Sequence, residues 1–196
     1  DLCNNKFILA LDADERVSEH LKTEIQRLLK CESLKNGYKI SRLTFHLGKF
    51  IRHSGWYPQK RFRLFRKGYG KWAGENPHDF VEVYGDSGSL KGDIIHYSFK
   101  DLSHQVDTIN KFSSIVSFTR FRKGKKFSIM RSLFKPISKF IEIYFWKLGF
   151  LDGFAGFTIA VSSSYSTFLK EAKIYEFENV KLERPSNLKA DYGNGK

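Results

Sequence analysis

The stretch Lys6–Glu15, KFILALDADE, decides how the rest of the chain is read. Its opening residues, Lys6 to Leu11, form a short apolar run of the kind that makes a buried parallel strand, and the run ends in Asp12, Asp14 and Glu15. A strand succeeded at once by acids delivers carboxylates to the carboxyl edge of a sheet, where open α/β sheets place their ligands. Hard divalent cations favour such oxygen donors, and Mg²⁺ completes its shell with phosphate and water. Taken alone, an acid pair at a strand end is more often a helix cap or a solvated turn, so its meaning depends on the residues that accompany it elsewhere in the chain.

Ser18 is a plausible N-cap, and Leu21, Ile25, Leu28 and Leu29 then recur at helical spacing until Gly37 stops the pattern. Tyr38 to Phe50 and Lys60 to Arg66 (KRFRLFR) alternate apolar and polar residues and read as strands, separated by the loop His53 to Pro58 (HSGWYP). A second loop, Gly74 to Asp79 (GENPHD), leads into strand-like Phe80 to Tyr84, and Asp93 to Phe99 (DIIHYSF) supplies a further strand. Beyond residue 100 the period becomes helical. Ser103 to Phe118 is one amphipathic segment, Ile141 to Leu148 continues an apolar face that Gly149 and Gly153 break, and a last helix runs from about Phe154 to Tyr175. Pro136 is expected to start or kink a helix. The division expected is a sheet-bearing part over 1–100, a basic helical extension over 101–175 and a loose tail over 176–196.

With 196 residues and 41% hydrophobic content, the chain suits one globular domain or a large piece of one, not a disordered polymer. Cys3 and Cys31 form no CxxC pair, which excludes a zinc finger or a disulfide scaffold and points to a reducing compartment. Lys135, Lys139, Glu142, Lys147 and Asp152 interrupt the most apolar stretch, so no clean membrane span is expected, nor a secretory signal. The strand pattern begins almost at Asp1, as in a chain cut from something longer and lacking its N-terminal portion.

The charge is strongly basic, +13 from 34 Lys and Arg against 21 acids. Nucleic acid is one partner for such a charge, since aromatics and cations together stack on and neutralise a single strand. No nucleic-acid motif is present, however, and that reading leaves the strand-end acids without a role. From Arg120 to Lys139 there are eight Lys or Arg and no acid, and from Lys125 to Leu148 apolar side chains recur every three or four positions. Helices of that pattern lie in an anionic membrane interface, each nearby cation adding roughly 1 kcal/mol, or they pack on the sheet.

Leu11–Glu15 (LDADE), Gly55–Pro58 (GWYP), Arg63–Arg66 (RLFR), His78 with Asp79, His96 with Tyr97, and Gly149–Gly156 (GFLDGFAG) occur in this order. Together they resemble family 2 glycosyltransferases, in particular the subgroup similar to lipopolysaccharide core glucosyltransferases, over roughly Lys6 to Tyr175. The resemblance implies an α/β fold: a partial GT-A sheet, the Rossmann-like nucleotide-diphospho-sugar transferase architecture, succeeded by C-terminal amphipathic helices. It also implies inverting transfer of a hexose from a nucleotide sugar, expected to be a UDP-hexose, to a lipopolysaccharide-core or other cell-envelope glycan. The place implied is the cytoplasmic face of a bacterial inner membrane, peripherally attached.

By that likeness Asp14 is the principal carboxylate on Mg²⁺ or Mn²⁺, and Asp12 contacts the donor ribose or the water shell of the metal. His96 is a further ligand to the metal or pyrophosphate, or else a structural histidine. Such a cation stabilises the charge left on the departing diphosphate. Asp79 is expected to be the base that takes the acceptor hydroxyl proton; related enzymes often carry glutamate after the histidine, and the alternative is that Asp79 caps a turn after Pro77. Glu75 is the second candidate base, and Glu15 is either functional or a helix-start acid. Arg63 and Arg66 have forks that suit phosphate, but an odd-spaced pair on a strand faces opposite ways unless the strand bulges; Arg63 is preferred. Trp56 is expected to stack on a sugar ring, as part of the donor site, with Tyr57 in the core.

Overall fold

The computed structural model describes residues 5–74 and 80–179. Along the chain lie β1 (Phe7–Leu9), β2 (Glu15–Val17), α1 (Glu19–Leu28), β3 (Gly37–His46), β4 (Lys49–Phe50), β5 (Gln59–Arg66), β6 (Gly70–Ala73), β7 (Phe80–Val83) and β8 (Ser87–His96). The helices α2 (Leu102–Arg122), α3 (Ile129–Ile141) and α4 (Gly153–Asn179) complete it. The main sheet has the order β1-β5-β3-β8-β2, with β4 added to β3, and β6 and β7 form a separate ribbon.

Among the described strands only β3 and β8 pair in parallel; β1 pairs antiparallel with β5 and is half-buried. The expectation of a buried parallel strand at Lys6 to Leu11 is thus corrected: an apolar run reports partial burial but not the direction of its neighbour. Ser18 does cap α1, its Oγ accepting the Leu21 N–H at 3.2 Å. The helix ends at Leu28, well before Gly37, because Lys30–Asn36 offers the sheet only Leu34.

Leu21, Tyr38, Ile40, Leu64, Leu90 and Ile94 form the core between α1 and the sheet. The helix crosses β8 at Gly92, where a Cβ would stand 2.5 Å from the Leu21 Cα. The β3–β8 register shifts just there. A bulge leaves amides without ladder partners, and Glu24 of α1 takes them: its carboxylate accepts the N–H groups of Lys91 (2.9 and 3.0 Å) and Gly92 (2.8 Å).

A second core of Ile51, Ile143, Ala155, Ile159 and Ala160 ties the end of the sheet to the helices. Pro136 neither starts nor ends α3 but lies inside it, and its carbonyl accepts the Ser164 hydroxyl of α4 at 2.7 Å. Between α3 and α4 the chain makes a π-turn (Glu142–Trp146) and a 3₁₀ turn (Gly149–Asp152). Gly149 and Gly156 of GFLDGFAG are steric requirements: a Cβ on Gly156 would overlap the Gly149 carbonyl, and one on Gly149 would crowd the Ile143 carbonyl. Of the described residues, no helix is long and apolar enough to cross a membrane.

Candidate functional site

Three adjacent strands bring the site together. Glu15 on β2 is paired with His96 on β8, and His96 with Thr44 on β3. Neighbours in register share a face of the sheet, as do residues two apart on one strand, so Arg42, Thr44 and His46 line the same side. These are the carboxyl ends of the parallel pair β3 and β8.

Arg63 reaches the group through a bulge: the β3–β5 register passes from Tyr38↔Leu64 to Lys39↔Phe62, skipping Arg63 and re-aiming its side chain. Its Nη2 donates to Asp12 Oδ2 at 2.9 Å and Glu15 Oε1 at 2.8 Å, and its Nη1 lies 3.4 Å from Asp12 Oδ1. Glu15, whose side chain is fully buried, also accepts the Asp12 N–H at 3.1 Å and stands 3.8 Å from Arg42. The Arg63 hydrogen bond holds the Asp12 carboxyl below its ordinary range. Burial pushes the Glu15 carboxyl up, against the pull of the Asp12 amide, Arg63 and Arg42. The guanidinium of Arg63 is engaged with two carboxylates through Nη1 and Nη2.

Asp14 lies on the open side. Its carboxylate, about half exposed, meets His96 Nε2 at 3.2 Å, and its carbonyl accepts the Tyr97 N–H at 2.9 Å. His96 is buried, with Nδ1 3.1 Å from Ser98 Oγ and 3.4 Å from Thr44 Oγ1. Burial, then the charge of Arg42, push its pKa down against the pull of Asp14, so the ring is neutral at neutral pH. The Asp14 carboxylate accepts, so in this structure the ring proton sits on Nε2 and Nδ1 accepts from the neighbouring hydroxyls. In the other tautomer, with Nδ1–H donating to Ser98 Oγ, Nε2 would be a lone-pair donor.

Asp14 and His96 offer one carboxylate and one neutral imidazole. Among the described residues no group of three or more His, Cys, Asp or Glu is arranged to hold a metal ion. The donor pair fits a hard divalent ion that takes the rest of its shell from phosphate oxygens and water, not a closed structural site. Asp12, half exposed, is engaged by Arg63 through both carboxylate oxygens.

Asp12, Asp14, Arg63 and His96 are thus brought together as a network. Trp56 joins a neighbouring cluster: its ring lies 5.4 Å from His46 and 6.3 Å from Phe99. Asp79, with His78 and Glu75, lies outside the described residues. Arg42 and Thr44 escaped the sequence reading, although their two-residue spacing on β3 was the available signal. So did Asp152, which is buried and accepts the N–H groups of Arg52 (3.1 Å) and His53 (3.0 Å) and the hydroxyl of Ser54 (2.8 Å). It fixes the loop that carries Trp56.

No family model matches the chain. It is 25% identical over 186 residues to the lipopolysaccharide core biosynthesis glycosyltransferase LpsC of Rhizobium meliloti, covering 94% of this chain and 68% of that protein. Its curated homologues are glycosyltransferases. Two others, both uncharacterized glycosyltransferases, come from Rickettsia typhi (28% identical, 89% of this chain and 64% of that protein) and Rickettsia prowazekii (27%, 88% and 63%). The chain therefore spans roughly two thirds of the length of these relatives, and the alignments run through both the sheet and the helices.

Proposed function

We propose that this chain is the larger part of a GT-A, inverting glycosyltransferase of family 2 that moves a hexose from a UDP-sugar to a cell-envelope glycan, such as a lipopolysaccharide core. The observation that carries this is the pairing of a half-exposed Asp14 with a neutral His96 at the carboxyl ends of the parallel strands, beside the Arg63–Asp12–Glu15 network. Asp14 and His96 would hold Mg²⁺ or Mn²⁺, which when bound supplies a positive charge for the departing diphosphate. Asp12, held by Arg63, orients the donor ribose. Asp79 takes the proton of the acceptor hydroxyl.

The same reading places the enzyme peripherally on the cytoplasmic face of the inner membrane. It is supported by exposed apolar side chains: Ile129, Leu133 and Ile137 along α3, Trp146 (81% exposed) and Phe154 (76% exposed), with Lys135 and Lys147 nearby in the chain. The test is turnover of a panel of nucleotide sugars by the full-length protein with and without divalent metal. Asp14→Ala is expected to abolish turnover and Asp79→Asn to reduce it by orders of magnitude; full activity in Asp14→Ala would defeat the metal assignment.

A further inference from the structure

A second cleft, of about 240 Å³, opens between Trp56 and Phe99 on the sheet side and α2, α3 and α4 on the other. Ligand pockets usually measure roughly 300–1,000 Å³, so this one has room for about one sugar unit of a larger molecule. Ser162, Ser166 and Lys170 line it from α4, one helical turn apart on one face. Neither serine hydroxyl has a hydrogen bond within the described residues.

Two polar groups beside the cleft lack a counterpart among the described residues. Gln105 lines the cleft and is only 2% exposed, yet its Oε1 has no hydrogen-bond partner. Buried polar groups are nearly always paired, and one left unpaired costs about 1–3 kcal/mol. Lys170, half-buried in the same wall, has no carboxylate partner among the described residues. Burial and the charges of Arg120 and Lys139 push its pKa down. Lys139, also lining the cleft, is paired with Glu142 at 2.8 Å. A partly desolvated, uncompensated cation beside unsatisfied hydroxyls and an aromatic face is a receptor for an anionic group attached to a polyol.

We infer that this cleft binds an acidic sugar unit, a pyranose bearing a carboxylate or phosphate, with its ring against Trp56 and its charge at Lys170. Its role as the acceptor subsite rests on the function proposed above. The placement suits that role, because His46, which touches Trp56 and Phe99, lies two residues from Thr44, which touches His96. On one face of a strand that is a separation of about 7 Å.

The test is an NMR titration of the chain with glucuronate, glucose 6-phosphate, glucose and inorganic phosphate, read at the Trp56 indole and along α4. Both acidic sugars are expected to shift these signals and to bind about tenfold more tightly than glucose. Lys170→Met should erase that preference while leaving the fold intact, since it removes an unpaired buried charge, and Lys170→Arg should keep it. Equal affinity for glucose overturns the charge assignment, phosphate binding as tightly as glucose 6-phosphate overturns the sugar, and no shift at Trp56 overturns the site. Asp14→Ala should leave the titration unchanged. A protein that binds acidic sugars here but no UDP-hexose would overturn the donor reading alone, whereas the reverse would overturn only this inference.

Discussion

Asp152→Ala is expected to destabilise the protein by roughly 3–5 kcal/mol. The side chain is 2% exposed and its carboxylate is the common acceptor for two backbone amides and one hydroxyl. Ser54 is equally buried, so its bond to an ionised acceptor carries the full value of about 1.5–3 kcal/mol. The amides of Arg52 and His53 are partly accessible, and water recovers some of what each loses. Ser54 and Gly55 both have positive φ (60° and 73°), a conformation costly for serine that persists only while its surroundings hold it. Urea unfolding measures the effect. The midpoint should fall by about 2 M with little change in slope, and Asp152→Asn, which keeps one acceptor oxygen, should lose about half as much. Stabilities of both variants within about 0.5 kcal/mol of the parent, the range of ordinary surface substitutions, would refute the idea that this carboxylate holds the Trp56 loop.

Glu15→Gln removes the buried counter-charge shared by Arg63 and Arg42 and should lower stability by about 3 kcal/mol; an unchanged urea midpoint would mean that Asp12 satisfies both guanidiniums. Burial holds His46 and His96 below the ordinary histidine range. A histidine depressed in the folded state stabilises it above the unfolded pKa of about 6.5, and that stability is lost as pH falls through the folded value. Urea midpoints should therefore drop on acidification from roughly pH 7 to pH 5, and His46→Phe should flatten part of the slope; a pH-independent midpoint in the parent contradicts the buried neutral rings. Trp146→Ser combined with Phe154→Ser should weaken sedimentation with anionic vesicles by about tenfold or more through lost apolar burial, and equal sedimentation of parent and variant would remove this surface from the membrane reading.

Much of the fold was legible in local chemistry. The Ser18 cap, the strand over Lys60–Arg66 and the helical period beyond residue 100 come directly from side-chain type and spacing, and the structure has them. The direction of β1 was not legible, because pairing is decided by β5, more than fifty residues away. Nor was the partner of Arg63. Alternation predicts a face, but the bulge opposite Tyr38 and Lys39 turns the side chain toward Asp12 and Glu15. The acids after the first strand do gather into one cluster, but how they are placed depends on burial: Glu15 goes inside with the arginines and Asp14 stays at the surface with His96. Gln105 and Lys170 gave no sequence signal, since an unpaired amide or ammonium is recognised only once its surroundings are known.

Calorimetric titration of the full-length protein with UDP-hexoses, in Mg²⁺ or Mn²⁺ and again after chelation, tests the donor site most directly. Metal-dependent binding that disappears in Asp14→Ala and weakens in His96→Ala is the predicted result. Undiminished binding by folded Asp14→Ala, or no affinity of the folded parent for any sugar nucleotide, would contradict it.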